Sequence, residues 1–310
     1  MTENRIKIFY PKSLGILLKD AFIAWKEDKA WRLGAALAYF TIFSLAPLLI
    51  IIITITSAIF GEQAVRGQIF SEFQGLIGTR GANAVQSLLE NAYMSGSSLS
   101  ATILGTAMLI FGSTAVFVQL RQAINTIWEI ADKPINTVRG FVKARVVSFA
   151  VILGFGVLVL ISLLISTLLN IFSNYLGEYF PFFSHLMQVI DFSVSFGFTT
   201  VMFALIFKIL PNARIKWKDI WIGSAFISFL FTIGKMGISF YLSNSNIASS
   251  FGAASSLAII LLWTFYSAQI FLFGAEFTKI FADRFGGKVL PGEHAVKLRI
   301  EKVEFEDGDS

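Results

Sequence analysis

Apolar residues gather in six long runs, 33–60, 99–118, 146–172, 190–210, 220–242 and 251–275, and polar residues gather between them. A helix needs roughly 20 residues to cross a hydrocarbon core of about 30 Å, and each run has them. Inside lipid the backbone must satisfy its own hydrogen bonds, so runs of this length predict helices. The pattern predicts an all-α integral membrane protein with six transmembrane helices.

Shorter patterns fill the segments between. Over 13–30, Leu14, Leu17, Leu18, Ala21, Phe22 and Trp25 share one helical face, while Lys19, Lys26, Glu27 and Lys29 favour the other. This predicts an N-terminal interfacial helix; a helix packed on the loops fits the pattern equally. Over 61–98, apolar positions recur at helical spacing (Ile69, Phe73, Leu76, Ile77, then Val85, Leu88, Leu89) around Gly75, Gly78 and Gly81. They predict short amphipathic helices in the first outer loop. Three parts follow: a cytoplasmic amphipathic segment, 1–32; a six-helix membrane domain, 33–285; and a polar tail, 286–310, expected to be solvated and disordered.

Charge orients the bundle. Of 25 Lys and Arg, twenty-two lie in 1–32, after the second run, after the fourth and after the sixth. Two, Arg66 and Arg80, lie on the opposite side, and Lys235 lies inside the fifth run. Basic loops stay in the cytoplasm, so both termini are expected there. Composition agrees with lipid as the solvent: 55% hydrophobic, 15% charged and a mean hydropathy of +0.71. The first apolar run starts near Leu33, too late for a cleaved signal peptide. There is no cysteine, which removes thiolate metal sites, disulfides and cysteine nucleophiles. The two histidines, His185 and His294, are far apart in sequence, and no glycine-rich phosphate loop is present. We expect no catalytic residues, no metal and no cofactor.

The fifth run carries the clearest internal signal. Ser224, Ser228, Thr232, Lys235 and Ser239 fall within an arc of about 80°. Such a face must meet protein or water, and Lys235 needs an anion or a path to water. One reading makes Lys235 part of a transport pathway. The other has it snorkel to the outer interface or neutralise Asp191. In the fourth run Ser193, Gly197, Thr200 and Ala204 suit close helix packing or a pathway lining. In the sixth, Gln269 and Glu276 share a face near Tyr266 and Ser255. Glu276, at the cytoplasmic end, either pairs with a basic loop residue or serves as a proton- or substrate-linked carboxylate. Pro47 interrupts the backbone bonding of the first run, where Ser44 can compensate, which predicts a kink. The small-residue stretch 249–256 suits a broken helix start or a plain loop.

The blocks GAALAYFTIFSLAPLL (34–49), GSTAVFVQLRQAINTIW (112–128), PNARIKWKD (211–219), GKMGISFYLS (234–243) and FGAASSLAIILLWTFYSAQIFLFGAEF (251–277) resemble the YihY/virulence factor BrkB family. One departure is Phe251, where that family usually has tyrosine. The resemblance implies six spans in the bacterial inner membrane and a function in transport or export. It also carries an old ribonuclease BN label. Metal-dependent phosphodiester cleavage needs clustered His, Asp or Glu ligands, whereas Glu129, Asp132 and Asp219 stand singly in the sequence. No nucleic-acid partner is expected.

Two functions remain at this stage. One is a transporter or exporter of an amphipathic or lipid-linked anion, with Lys235, Ser228, Thr232, Ser239, Gln269 and Glu276 along its path and membrane lipids around it. The alternative is a non-transporting scaffold or envelope assembly factor, in which the same residues join helices. Asn125, Trp128, Asn212 and Arg214 lie in the basic loops and are expected to tie together the cytoplasmic ends of the second, fourth and fifth helices. Trp128 and Trp217 suit the headgroup level.

Overall fold

The structure is a computed structural model that describes residues 11–94, 115–133, 181–244, 255–293 and 295–298, with single helical positions at 161 and 165. In chain order the helices are α1 (Pro11–Glu27), α2 (Ala30–Phe60), α3 (Glu62–Met94), α4 (115–127), α5 (Pro181–Ile209), α6 (Trp217–Asn244) and α7 (Ser255–Phe285). Four short strands accompany them: β1 (Ile130–Asp132), β2 (Ala213–Arg214), β3 (Leu290–Pro291) and β4 (Ala295–Lys297). Phe192–Ile209, Trp217–Ile238 and Leu257–Phe285, inside α5, α6 and α7, are each long and apolar enough to cross a membrane. They coincide with the fourth, fifth and sixth apolar runs. The first run lies in α2. The second, before 115, and nearly all of the third lie outside the described residues, as do 245–254 and therefore Phe251.

α7 is the hub, packed against α6, α2, α1 and α3. It approaches α6 closely because glycines stand at the contact. A Cβ on Gly274 would lie 2.8 Å from Ile227 Cβ, and one on Gly234 would run into Ile270 Cδ1. A Cβ on Gly223 would run into the Thr278 side chain. Aromatic rings fill the adjoining space: Phe226 stacks on Phe277 at 3.9 Å, and Phe271 meets Phe207 at 5.2 Å. This small-residue contact with ring packing is how helices associate where lipid supplies no hydrophobic drive between them.

α1 packs on α7. Leu17 and Ala21 are buried against Phe277 and Phe281 of α7, and Asp20 pairs with Arg284 at 3.0 Å. α1 therefore runs along the last turns of α7, while Leu14, Ile16, Phe22 and Ile23 stay exposed on its other side. The two-residue break before α2 passes through Lys29, whose φ of 51° is left-handed. α2 is helical without interruption through Pro47.

α3 is helical along its length, yet its two halves line one cavity of about 190 Å³: Arg66, Ile69 and Phe73 from the first, Ala82, Val85 and Leu89 from the second. In a straight helix residues 66 and 89 would stand roughly 35 Å apart. The helix must therefore bend sharply between Phe73 and Ala82, where Gly75, Gly78 and Gly81 fall, and the short helices expected of this segment are one continuous element. Val65, Ile69, Val85 and Leu89 bury their apolar face against Leu49 and Ile53 of α2 and Ile260 of α7.

The polar segments knit together at the opposite end. β1 pairs antiparallel with β4, Ile130 opposite Lys297, and β2 pairs antiparallel with β3, Arg214 opposite Leu290. This corrects the expectation of a disordered tail over 286–293 and 295–298, which carry β3 and β4; the rest of the tail lies outside the described residues. The tail's first residues cross the start of α6, where the Gly287 N–H donates to the buried Asp219 carboxylate at 2.9 Å. A Cβ on Gly286 would collide with that carboxylate, so the crossing needs a glycine.

Candidate functional site

The polar face of α6 changes character along its length. Ser224 and Ser228 are fully buried, and neither hydroxyl has a hydrogen-bond partner among the described residues. Thr232 is half-buried and donates to the Ser228 carbonyl at 2.8 Å. Lys235, on the same arc, is exposed and makes no ion pair among the described residues. The side chains of Ser239 and Asp191 lie outside the described set. α5, packed beside α6, changes in the same sense. Thr200 and Ala204 are buried, whereas Ser193 and Gly197 are exposed. Both faces are sealed toward the strands and open toward the far end.

Gln269 of α7 sits at the α2 contact. Its Nε2 donates to the Trp31 carbonyl at 3.5 Å and lies where a Cβ on Gly34 would be, while its carbonyl oxygen is buried without a partner among the described residues. It also borders an apolar groove of about 310 Å³ lined by Phe22, Trp25, Gly234, Tyr266 and Ile270. On α6 the groove is bordered by Gly234, which stands about 100° around the helix from Lys235, so the groove and the polar arc lie on different faces of that helix. Ser44 is buried and partnered; the Pro47 side chain lies outside the described set.

Glu276 is completely buried, and both of its carboxyl oxygens lack a donor among the described residues. The basic residue one turn on, Lys279, is engaged elsewhere, at 3.0 Å from Glu129. Glu276 instead faces the Asp28 carboxyl at the α1–α2 break, and the two carboxyls act on each other. Burial pushes the Asp28 carboxyl above its ordinary range, with Lys279 and the Glu276 contact pulling the other way. Burial also acts to raise Glu129, but Lys279 and Lys297 outweigh it and hold that carboxyl below its ordinary range.

The loop residues form a second polar group. Asn125, buried, donates to Asp132 Oδ1 at 3.4 Å and accepts from the Asn212 N–H at 3.3 Å. The Asn212 amide closes the knot on Asp132, and Arg121 pairs with the same carboxylate at 3.1 Å. Arg214 reaches Glu293 of the tail at 2.7 Å. Trp128 departs from the headgroup placement expected of it. It is fully buried, and its Nε1–H donates to the Ala275 carbonyl of α7 at 3.1 Å. Trp217 is exposed, with Lys208 over its ring at 5.4 Å. Sequence reasoning missed Asp28, Lys279 and the part that Glu129, Asp132 and Asp219 play in joining elements. The spacing of Glu276 and Lys279, one helical turn apart, was the available signal. No group of three or more His, Cys, Asp or Glu able to hold a metal occurs among the described residues.

Three apolar helices of spanning length, cemented at one end by polar loops, define a helical integral membrane protein. A family model, virulence factor BrkB, matches residues 21–298, and the chain belongs to that family. It is similar to a UPF0761 membrane protein of Alteromonas mediterranea, 27% identical over 95% of this chain and 98% of the relative. Similar proteins with the same description occur in Mannheimia succiniciproducens (24% identical, 87% and 91% covered) and Haemophilus influenzae (26%, 86% and 93%). Relatives in Teredinibacter turnerae and Alcanivorax borkumensis are longer, and this chain covers 61% of each. No solved structure matches the chain.

Proposed function

We propose that the protein is a six-helix transporter or exporter of the bacterial inner membrane, with both termini in the cytoplasm, that moves an amphipathic or lipid-linked anion. One observation supports this reading above others. The polar face of α6, sealed at Ser224 and Ser228, is open at Lys235, and the neighbouring face of α5 opens toward the same end. A hydroxyl-lined face ending in an ammonium group suits an anionic headgroup entering from the far side. Thr232 and Lys235 then line the open part of the path, which ends at the sealed Ser228.

The test uses purified protein in proteoliposomes and fluorescent phosphatidylglycerol as the anionic probe. The wild type is expected to carry the probe between leaflets faster than empty vesicles. Lys235→Met should remove that activity while keeping folded yield, and Lys235→Arg should keep part of it, because arginine retains the charge on a wider head. Equal rates in wild type and Lys235→Met would count against the pathway. A second reading, a non-transporting scaffold, draws on the close α6–α7 contact at Gly223, Gly234 and Gly274. It predicts that Lys235→Met is harmless and that substitutions at those glycines are not.

A further inference from the structure

We infer that Asp28 and Glu276 together form a proton-binding site, and that the bound proton latches α1 and the start of α2 onto α7. The inference is independent of whether the protein transports. It starts from an unmet requirement. Glu276 is completely buried, and neither carboxyl oxygen has a donor among the described residues. An ionised carboxylate accepts hydrogen bonds and cannot donate one. If both carboxyls were ionised, the buried Glu276 oxygens would stay without donors and the two charges would repel. One proton resolves both problems, because Glu276 then donates to Asp28. The proton belongs on Glu276, the more deeply buried of the two, while Asp28 is half-exposed and gives it a route to cytoplasmic water.

The surrounding charges favour the same state. Facing the pair are Glu27 on α1, Lys279 on α7, and Glu129 after α4, itself bridged by Lys297 of β4 at 3.5 Å. With one proton shared, the carboxyls of Asp28, Glu276 and Glu129 match the ammonium groups of Lys279 and Lys297, and only the exposed Glu27 is left outside that balance. Without it the cluster carries an uncompensated negative charge beside a fully buried side chain. Relief requires Asp28 to move out, and Asp28 lies in the break joining α1 to α2, next to the left-handed Lys29. The proton leaves to water as α1 loosens from Phe277 and Phe281.

Two measurements on the full-length protein in nanodiscs test this. Infrared difference spectra should contain a protonated-carboxyl C=O band at neutral pH that disappears as pH is raised, is absent in Glu276→Gln and shifts in Asp28→Asn. The second readout exploits the native protein's lack of cysteine. In Ala21→Cys the new thiol, buried between α1 and α7, should be protected from N-ethylmaleimide at neutral pH. Its labelling, relative to a reference thiol in Lys26→Cys at an exposed position, should rise severalfold in the alkaline range. In a Glu276→Gln background, whose amide donates at every pH, it should stay protected. No acid band in the wild type at neutral pH overturns the inference, even if both variants fail to fold. So does a pH response of the Ala21→Cys thiol that is unchanged by Glu276→Gln.

Discussion

Gly274→Ala and Gly237→Ala make the same chemical change on neighbouring helices and should have opposite effects. In both, alanine gains about 1 kcal/mol of helix propensity over glycine. At Gly237 nothing lies within 4 Å of the new methyl, so the gain stands and the variant should match or exceed wild-type stability. At Gly274 the methyl would lie 2.6 Å from Ile227 Cδ1 and 2.8 Å from both its Cβ and Cγ1. A rotamer change can clear Cδ1 but not Cβ, which moves only with the α6 backbone. Forcing extra volume into a packed contact costs about 1–3 kcal/mol. The propensity term cancels between the two variants, so Gly274→Ala should be the less stable by about that amount. Thermal unfolding of both proteins in one detergent, followed by loss of the monodisperse chromatographic peak, measures the difference. If Gly274→Ala proved as stable as Gly237→Ala, the α6–α7 contact described here would be wrong.

Trp128→Phe should cost about 1 kcal/mol for the lost bond to the Ala275 carbonyl, together with a small void. Trp128→Ala should cost about 3–5 kcal/mol, measured in the same thermal assay; equal losses would mean that the Nε1 bond and the ring's volume contribute nothing separable. Glu129, held below its ordinary range, should contribute stability fully above ~4.3, the unperturbed glutamate value, and lose it as pH falls through its depressed value. Glu129→Gln should therefore flatten the acid limb of the stability profile, and an unchanged limb would refute the Lys279 and Lys297 pairing.

Much of the helical frame was legible because long apolar runs have few alternatives in lipid. α5, α6 and α7 follow the predicted runs closely, and α3 bends where three glycines interrupt an amphipathic pattern. The polar end was not legible. Residues 286–298 read as a solvated tail because their order comes from partners far away in sequence. Val296 lies opposite Ala131, and Gly287 depends on Asp219. Trp128 read as an interfacial residue because composition cannot reveal that the chain folds a strand pair over it. Glu276 was noticed, but its partner was not. Pairing rules send a buried acid to a nearby lysine, and here Lys279 is taken by Glu129, which leaves Asp28, 248 positions away in sequence. The stripe around Lys235 was visible from helical spacing alone. Its passage from buried to exposed depends on how neighbouring helices diverge, which spacing does not encode.

The proposed pathway is tested most directly by the reactivity of cysteines placed one at a time on α6 in intact cells. A thiol in lipid does not ionise and resists a charged, impermeant maleimide, whereas a thiol in a hydrated cleft reacts. Lys235, Ile233 and Met236 are all exposed on this helix but point in different directions. The account predicts rapid labelling of Lys235→Cys from outside, slow labelling of Ile233→Cys and Met236→Cys, and none of the buried Ser228→Cys. If Lys235→Cys reacts no faster than Ile233→Cys and Met236→Cys, the face meets lipid and the pathway does not exist.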